Sequence, residues 1–232
     1  MEPYYQDDWV TLYHGDCREI TEWLTADVLV TDPPYGRRWR QGDIEDLRGW
    51  PKSRNAASLT GIANDDSTEV RDGILGMWGD RPAIVFGDLM LPPPDGNKLT
   101  GIYHKTDPTA GLRGAVAKVR RDAEGIYFVG NWGRSSLGGR SSIFASRAQI
   151  SSANGIVARD GGGHPHTKPQ DVLLDLIGLT AGTIADPCAG SGSTLVAAKY
   201  VGRSAIGVEL EERYCETAAK RLVQDTLFGE LA

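Results

Sequence analysis

Apolar positions in this chain fall into short runs that stop abruptly at Gly, Asp or Pro. Val28-Leu29-Val30 leads to Asp32, Ala83-Ile84-Val85-Phe86 to Gly87-Asp88, Thr183-Ile184-Ala185 to Asp186, and Ala205-Ile206-Gly207-Val208 to Glu209. Val10 to Tyr13, before Gly15-Asp16, and Gly125 to Val129 complete the set. Continuous apolar runs of this length, bounded by turn residues, mark strands buried on both faces, as in parallel sheets. Helical periodicity lies between them. Asp171 to Leu179 is strongly apolar and can start at Pro169, and Ser193 to Val201 follows a glycine turn and is stopped by Gly202. Glu211 to Leu227 puts Tyr214, Ala218 and Leu222 on one stripe with Cys215, Ala219 and Val223 beside it, a core-facing arrangement. Strands alternating with helices predict an α/β fold, a doubly wound, mostly parallel sheet in a single domain over 1–232. Its halves are expected at about 8–130 and about 164–228.

Two stretches break the alternation. Residues 36–80 read as irregular, with Trp39, Trp50 and Trp78, and residues 131–163 are rich in Gly, Ser and Arg. Both are long for structureless loops in a compact domain, which points to functional segments.

Composition adds little beyond exclusions. Hydrophobic residues at 40% and charged residues at 24% fit a globular domain with a full core and exclude disorder. No apolar stretch approaches the roughly 18 residues of a membrane span. The acidic, aromatic first twenty residues do not read as a secretory or transit peptide, so a cytoplasmic setting is expected. Cys17, Cys188 and Cys215 are too widely spaced for a disulfide framework or a CxxC metal site. They read as core residues. His14, His104, His164 and His166 show no metal-ligand spacing, and no metal is expected.

Charge changes the picture more. The net charge is −6, yet the segment from Lys98 to Arg159 carries +7 and the remainder −13. A basic segment in an acidic body is the asymmetry expected of a local polyanion site.

Asp186-Pro187-Cys188-Ala189-Gly190-Ser191-Gly192-Ser193-Thr194 joins a predicted strand to a predicted helix. Glycines there let a ligand approach the main chain. Glu209, closing the next strand, can accept hydrogen bonds from a ribose diol. Leu195 stands where a dinucleotide fingerprint needs its third glycine, and Asp186 would repel a pyrophosphate but suit a positive amino group. S-adenosylmethionine carries such a group and a sulfonium. Asp32-Pro33-Pro34-Tyr35 follows an apolar strand, and its two prolines stiffen the turn and remove two amide donors. The Asp32 carboxylate and the Pro33 carbonyl can accept both hydrogens of an exocyclic amine, and Tyr35 offers a flat face to an extruded base.

At these residues the chain resembles a known family. Asp32 to Tyr35 resembles the catalytic motif of amino-methyltransferases acting on adenine N6 or cytosine N4 in DNA, and Asp186 to Thr194 resembles their cofactor motif, DPFxGSGT. His164-Pro165-His166-Thr167-Lys168-Pro169 is similar to an HPxxKP element, Gly15-Asp16-Cys17 to a GD element, and Tyr103-His104-Lys105 to W-x-K. Catalytic motif before cofactor motif is the circularly permuted order of the β class. Cys188 departs from the usual phenylalanine, His166-Thr167 from Thr-Gln, and Tyr103 from tryptophan.

The resemblance implies a Rossmann-like S-adenosyl-L-methionine-dependent methyltransferase fold with a small recognition insert. It implies that Asp32, Pro33, Pro34 and Tyr35 bind a flipped adenine or, alternatively, cytosine, with the DPPY spelling favouring adenine. Asp186, Pro187, Cys188, Ala189, Gly190, Ser191, Gly192 and Thr194 would line the cofactor pocket. Glu209 would take the ribose, Asp16 and Cys17 the adenine, and Thr167 and Lys168 the methionine carboxylate. Methyl transfer would be a direct in-line displacement without a covalent intermediate. Double-stranded DNA is the implied partner. The insert at 131–163, with Arg134, Arg140 and Arg147, is together with Lys105 the expected contact with it; because the insert is short, a short recognition sequence or help from a second subunit is expected. RNA or protein methylation, a non-catalytic DNA-binding module and a nicotinamide oxidoreductase are the rival readings.

Overall fold

The computed structural model describes residues 1–38, 62–107, 115–133, 139–146 and 167–229. The strands are β1 (Tyr5–Gln6), β2 (Val10–His14), β3 (Val28–Thr31), β4 (Ala83–Gly87), β5 (Asn97–Lys105), β6 (Ala123–Val129), β7 (Ile143–Ser146), β8 (Ile184–Asp186) and β9 (Ala205–Glu209). The α-helices are α1 (Glu69–Trp78), α2 (Gln170–Ile177), α3 (Ser193–Tyr200) and α4 (Glu212–Gly229), and a 3-10 turn covers Glu22–Thr25. One sheet runs β1-β2-β9-β8-β3-β4-β6-β5-β7. From β2 to β4 every neighbour is parallel; β6 and β5 then pair antiparallel, and β7 lies parallel to β5.

The double winding shows in the strand alternation. Val28, Val30, Ile84 and Phe86 face a cluster completed by α2, α3 and α4, whereas Leu29, Ala83 and Val85 face a second cluster with Trp23, Val70, Ile74 and Trp78. A period of two sends successive side chains to opposite faces, and both faces are covered. The second layer is anchored by Trp23 stacked on Trp78, 5.8 Å between centroids and 12° between planes. The expected helices are present with slightly shifted ends. On α4 the buried stripe is Cys215, Ala218 and Leu222, while Val223 is exposed.

The structure departs from the expected pattern in three places. Residues 36–80 are not irregular throughout, because 69–78 form α1, whose Val70, Ile74 and Trp78 lie four apart on the buried face. That spacing is visible in the sequence but interrupted by Gly73 and Gly76. The strand over 125–129 begins two residues earlier and runs antiparallel. β5 and β7 carry too few buried positions to announce themselves, and β7 places 143–146 of the expected insert inside the sheet. Among the described residues no helix is long and apolar enough to cross a membrane.

This topology decides what shares an edge. The carboxyl ends of β2, β9, β8, β3 and β4 lie together because those strands are parallel. Antiparallel β6 brings its first residues to the same edge, with Gly125 opposite Gly87, and β5 returns to it with Tyr103 opposite Glu124.

Candidate active site

Asp32 follows the last residue of β3, and its side chain keeps about a fifth of its exposure. Both carboxylate oxygens are engaged. The Tyr35 hydroxyl donates to Oδ1 at 2.7 Å, and the Lys168 ammonium donates to Oδ2 at 2.5 Å. Lys168 Nζ is also 3.1 Å from the Tyr35 hydroxyl and 3.4 Å from Glu124 Oε2. Tyr35 Oη lies 3.2 Å from the same Glu124 oxygen, and Glu124 Oε1 takes the ammonium of Lys105. Burial works against the ammonium of Lys168, but the charges of Asp32 and Glu124 outweigh it and hold its pKa above the usual lysine value. Burial, reinforced by the two carboxylates, lifts the Tyr35 phenol far above its ordinary range. The turn beyond Tyr35 is tied down by buried Asp65, which accepts from the backbone N–H of Gly36 at 2.7 Å and of Arg37 at 3.2 Å.

The glycine turn follows β8, the parallel neighbour of β3. Thr31 donates its hydroxyl to Asp186 Oδ1 at 2.8 Å, so the two corners touch directly. Asp186 is 3% exposed, and burial pushes its carboxyl up to about 6 despite hydrogen bonds from Thr194, Thr31 and the Cys188 N–H. Glu209 accepts from Gly190 N at 2.7 Å and Glu211 N at 2.8 Å, which pins the turn to the end of β9; burial raises its carboxyl too. Arg221 of α4 donates to the Ser191 carbonyl at 2.6 Å, and Thr167 Oγ1 lies 3.3 Å from Ser191 Oγ.

Gly192 has φ +78°, and a Cβ there would sit 2.8 Å from Ala218 Cβ. Gly192→Ala is therefore expected to lower stability by about 2 kcal/mol. Gly76→Ala, where nothing lies within 4 Å, should be neutral or slightly stabilising. Thermal unfolding of the pair checks the contrast.

The third corner follows β2. Gly15 N donates to Glu209 O at 2.9 Å, and Arg18 clasps Asp16, holding its carboxyl below the usual range. The thiols of Cys17 and Cys188 influence one another, lowering the pKa of Cys17 and raising that of Cys188, which places this corner beside the glycine turn. Cys17 is fixed from behind by the Trp23 indole, which donates to its carbonyl at 2.9 Å.

Asp32, Pro33, Pro34 and Tyr35 are thus brought beside Asp186 to Thr194, with Asp16, Cys17, Thr167 and Glu209. Lys168 sits on the Asp32 carboxylate, whereas Thr167 beside it reaches the glycine turn. Lys105 is not on an open face but half-buried against Glu124. Arg140 pairs with Asp175 of α2 at 2.8 Å, both exposed. Arg121 likewise meets Asp88, so two of the segment's cations are answered by acids outside it, while Arg120 pairs with Asp122 inside the segment. Arg134, Arg147, His164, Pro165 and His166, and most of the 131–163 insert, lie outside the described residues. Glu124, Asp65 and Arg221 escaped the sequence reading; each stands near other charged residues in the chain, outside any motif, and its partners are set only by folding.

Residues 92–220, over half of the chain, match the family described as DNA methylase, the N6/N4 methyltransferases. The span takes in Glu124, Lys168 and the glycine turn, with the Asp32 corner lying upstream. The type II methyltransferase M2.LlaDCHI of Lactococcus lactis subsp. cremoris is 39% identical over 71 residues, 29% of this chain and 26% of that protein. M2.DpnII of Streptococcus pneumoniae is 41% identical over 69 residues, 28% and 26% of the two chains. The matched stretch therefore spans about a quarter of these relatives. Among solved structures, the cytosine-N4-specific PvuII DNA methyltransferase superposes with a TM-score of 0.65 at 16% identity, over 94% of this chain and 88% of that one. The complex of M1.HpyAVI with SAM gives 0.59 at 19% identity, over 92% and 98%. At these identities the likeness is one of fold, a Rossmann-like α/β sheet.

Proposed function

Because the chain belongs to the N6/N4 DNA methylase family, we propose that it moves a methyl group from S-adenosyl-L-methionine to the exocyclic N6 of a flipped-out adenine in double-stranded DNA. The observation that carries this reading is the 2.8 Å hydrogen bond from Thr31 to Asp186, which sets the amine-binding corner and the glycine turn side by side at one sheet edge. The donor set fits the cofactor. Asp186 is a buried carboxylate with a raised pKa and no salt-bridge partner among the described residues, so an ammonium would answer it. Glu209 can share its oxygens with a ribose diol, and Gly190, at φ +52°, leaves the main chain open to close approach. Asp16 and Cys17 would meet the adenine. When bound, the cofactor supplies an electrophilic methyl group on sulfur.

The rest falls to this chain. Asp32 accepts one hydrogen of the amine and the Pro33 carbonyl the other, which turns the nitrogen lone pair away from both acceptors. The Lys168 ammonium donates to one oxygen of Asp32, so Asp32 works as an acceptor and the task is positioning and fixed polarity. Tyr35, stiffened by the two prolines and tied by its hydroxyl, offers its ring to the base. The spelling Asp-Pro-Pro-Tyr favours adenine; cytosine N4 presents the same two hydrogens beside a ring nitrogen.

Labelling with tritiated methyl donor on duplex DNA, RNA and protein in parallel, followed by base analysis, tests the reading. Label in DNA as N6-methyladenine is expected. Label confined to RNA or protein would overturn it, and N4-methylcytosine would move the target atom alone.

A further inference from the structure

We propose that Glu124 is a positioning residue for methyl transfer, acting through Lys168 and Tyr35 to keep one face of the Asp32 carboxylate open to the amine. The inference rests on the methyl-transfer reading above and deepens it.

Lys168 has three N–H groups, a side chain only 7% exposed, and neighbours at 2.5, 3.1 and 3.4 Å: Asp32 Oδ2, the Tyr35 hydroxyl and Glu124 Oε2. Tyr35 has one hydrogen, with Asp32 Oδ1 at 2.7 Å and Glu124 Oε2 at 3.2 Å. An ionised carboxylate offers about four lone-pair sites. Lys168 and Tyr35 use two of those on Asp32, and the remaining ones serve the amine. That partition holds only while a second anion draws on the same ammonium and the same hydroxyl. Glu124 is that anion, and Lys105 on its other oxygen stops it from claiming Lys168 outright. The two acids and two lysines balance in charge, as a buried cluster must.

Without Glu124 the ammonium has one carboxylate left. It would close over both oxygens of Asp32 and occupy the sites the amine needs. The site would still fold and still hold the cofactor, since β6 is separated from β8 and its glycine turn by β3 and β4, but the amine would be badly held.

Three variants read this out: Glu124→Gln, Lys168→Gln and the double variant. Glu124→Gln keeps shape and removes charge, and kcat is expected to fall about tenfold to a hundredfold. Its cofactor affinity by calorimetry should stay within roughly twofold of the native chain, a split a general loss of structure would not give. In the double variant the ammonium that would smother Asp32 is gone with the anion that restrained it, so the two losses should not multiply. Native kcat in Glu124→Gln would overturn the proposal. So would a cofactor affinity that falls with kcat, or a double variant showing the full product of the single losses. A native chain that methylates no DNA would sink the reading beneath it, whereas an active native chain matched by Glu124→Gln sinks this inference alone.

Discussion

Asp32→Ala is expected to abolish methyl transfer, by about a thousandfold or more, while cofactor binding survives largely intact. In the proposed reaction the amine is the nucleophile and must be desolvated, oriented and stripped of competing contacts, and Asp32 would be the carboxylate acceptor at that corner. Cofactor binding survives because Asp186 keeps its partners: the Thr31 hydroxyl at 2.8 Å and the Cys188 N–H at 3.2 Å. Removing the carboxylate also leaves the buried Lys168 ammonium with Glu124 alone, which destabilises the corner. Asp32→Asn keeps the side-chain shape and one acceptor oxygen, and it should still lose most of the rate, because its amide N–H groups face the amine as donors. Single-turnover transfer of labelled methyl, with calorimetry in parallel, measures both quantities. Residual transfer within about tenfold of the native chain would remove Asp32 from the role assigned to it.

The second large effect belongs to Asp186→Asn. Loss of a buried charge partner for an ammonium costs about 3 kcal/mol, or about a hundredfold in affinity. The pH dependence gives the same assignment an independent test. Burial raises this carboxyl from 3.8 to about 6. The folded state therefore holds the proton more tightly than the unfolded chain does. Stability linked to this group is present in full below 3.8 and is lost as pH rises through about 6, amounting to about 3 kcal/mol at neutral pH. Cofactor affinity runs the other way, since the ionised form binds the ammonium, and should fall about tenfold per pH unit below 6. Asp186→Asn should thus be at least as stable as the native chain at pH 7 and yet bind cofactor poorly, with a flat pH profile. A variant that loses stability and affinity together, or retains the native pH slope, would assign the buried charge to structure instead.

Much of the fold was legible because parallel strands buried on both faces must be apolar throughout. β2, β3, β4, β8 and β9 announce themselves in this way, and so do α2, α3 and the stripe of α4. β5 was not legible, since Asn97, Lys98 and Thr100 dilute its apolar positions. Neither was α1, whose regular Val70, Ile74 and Trp78 are broken by two glycines. At the site, Asp32, Asp186 and Glu209 were readable because each ends a strand, and the carboxyl ends of parallel strands share an edge. The basic segment overstates the surface charge in part. Arg121 and Arg140 are answered by Asp88 and Asp175, which lie outside the segment in sequence.

The sequence alone determined the parallel core, the acid that closes each of three strands, and the rigid Asp-Pro-Pro-Tyr and glycine corners, because burial and backbone conformation are local demands written residue by residue. Only the tertiary structure decided that Lys168 would lie on Asp32 and that Glu124 and Lys105 would complete the cluster. Glu124 reaches this edge because β6 enters the sheet antiparallel, Lys105 because β5 pairs beside it, and Lys168 because the chain leading into α2 packs there. Strand direction and pairing are properties that no run of side chains carries by itself.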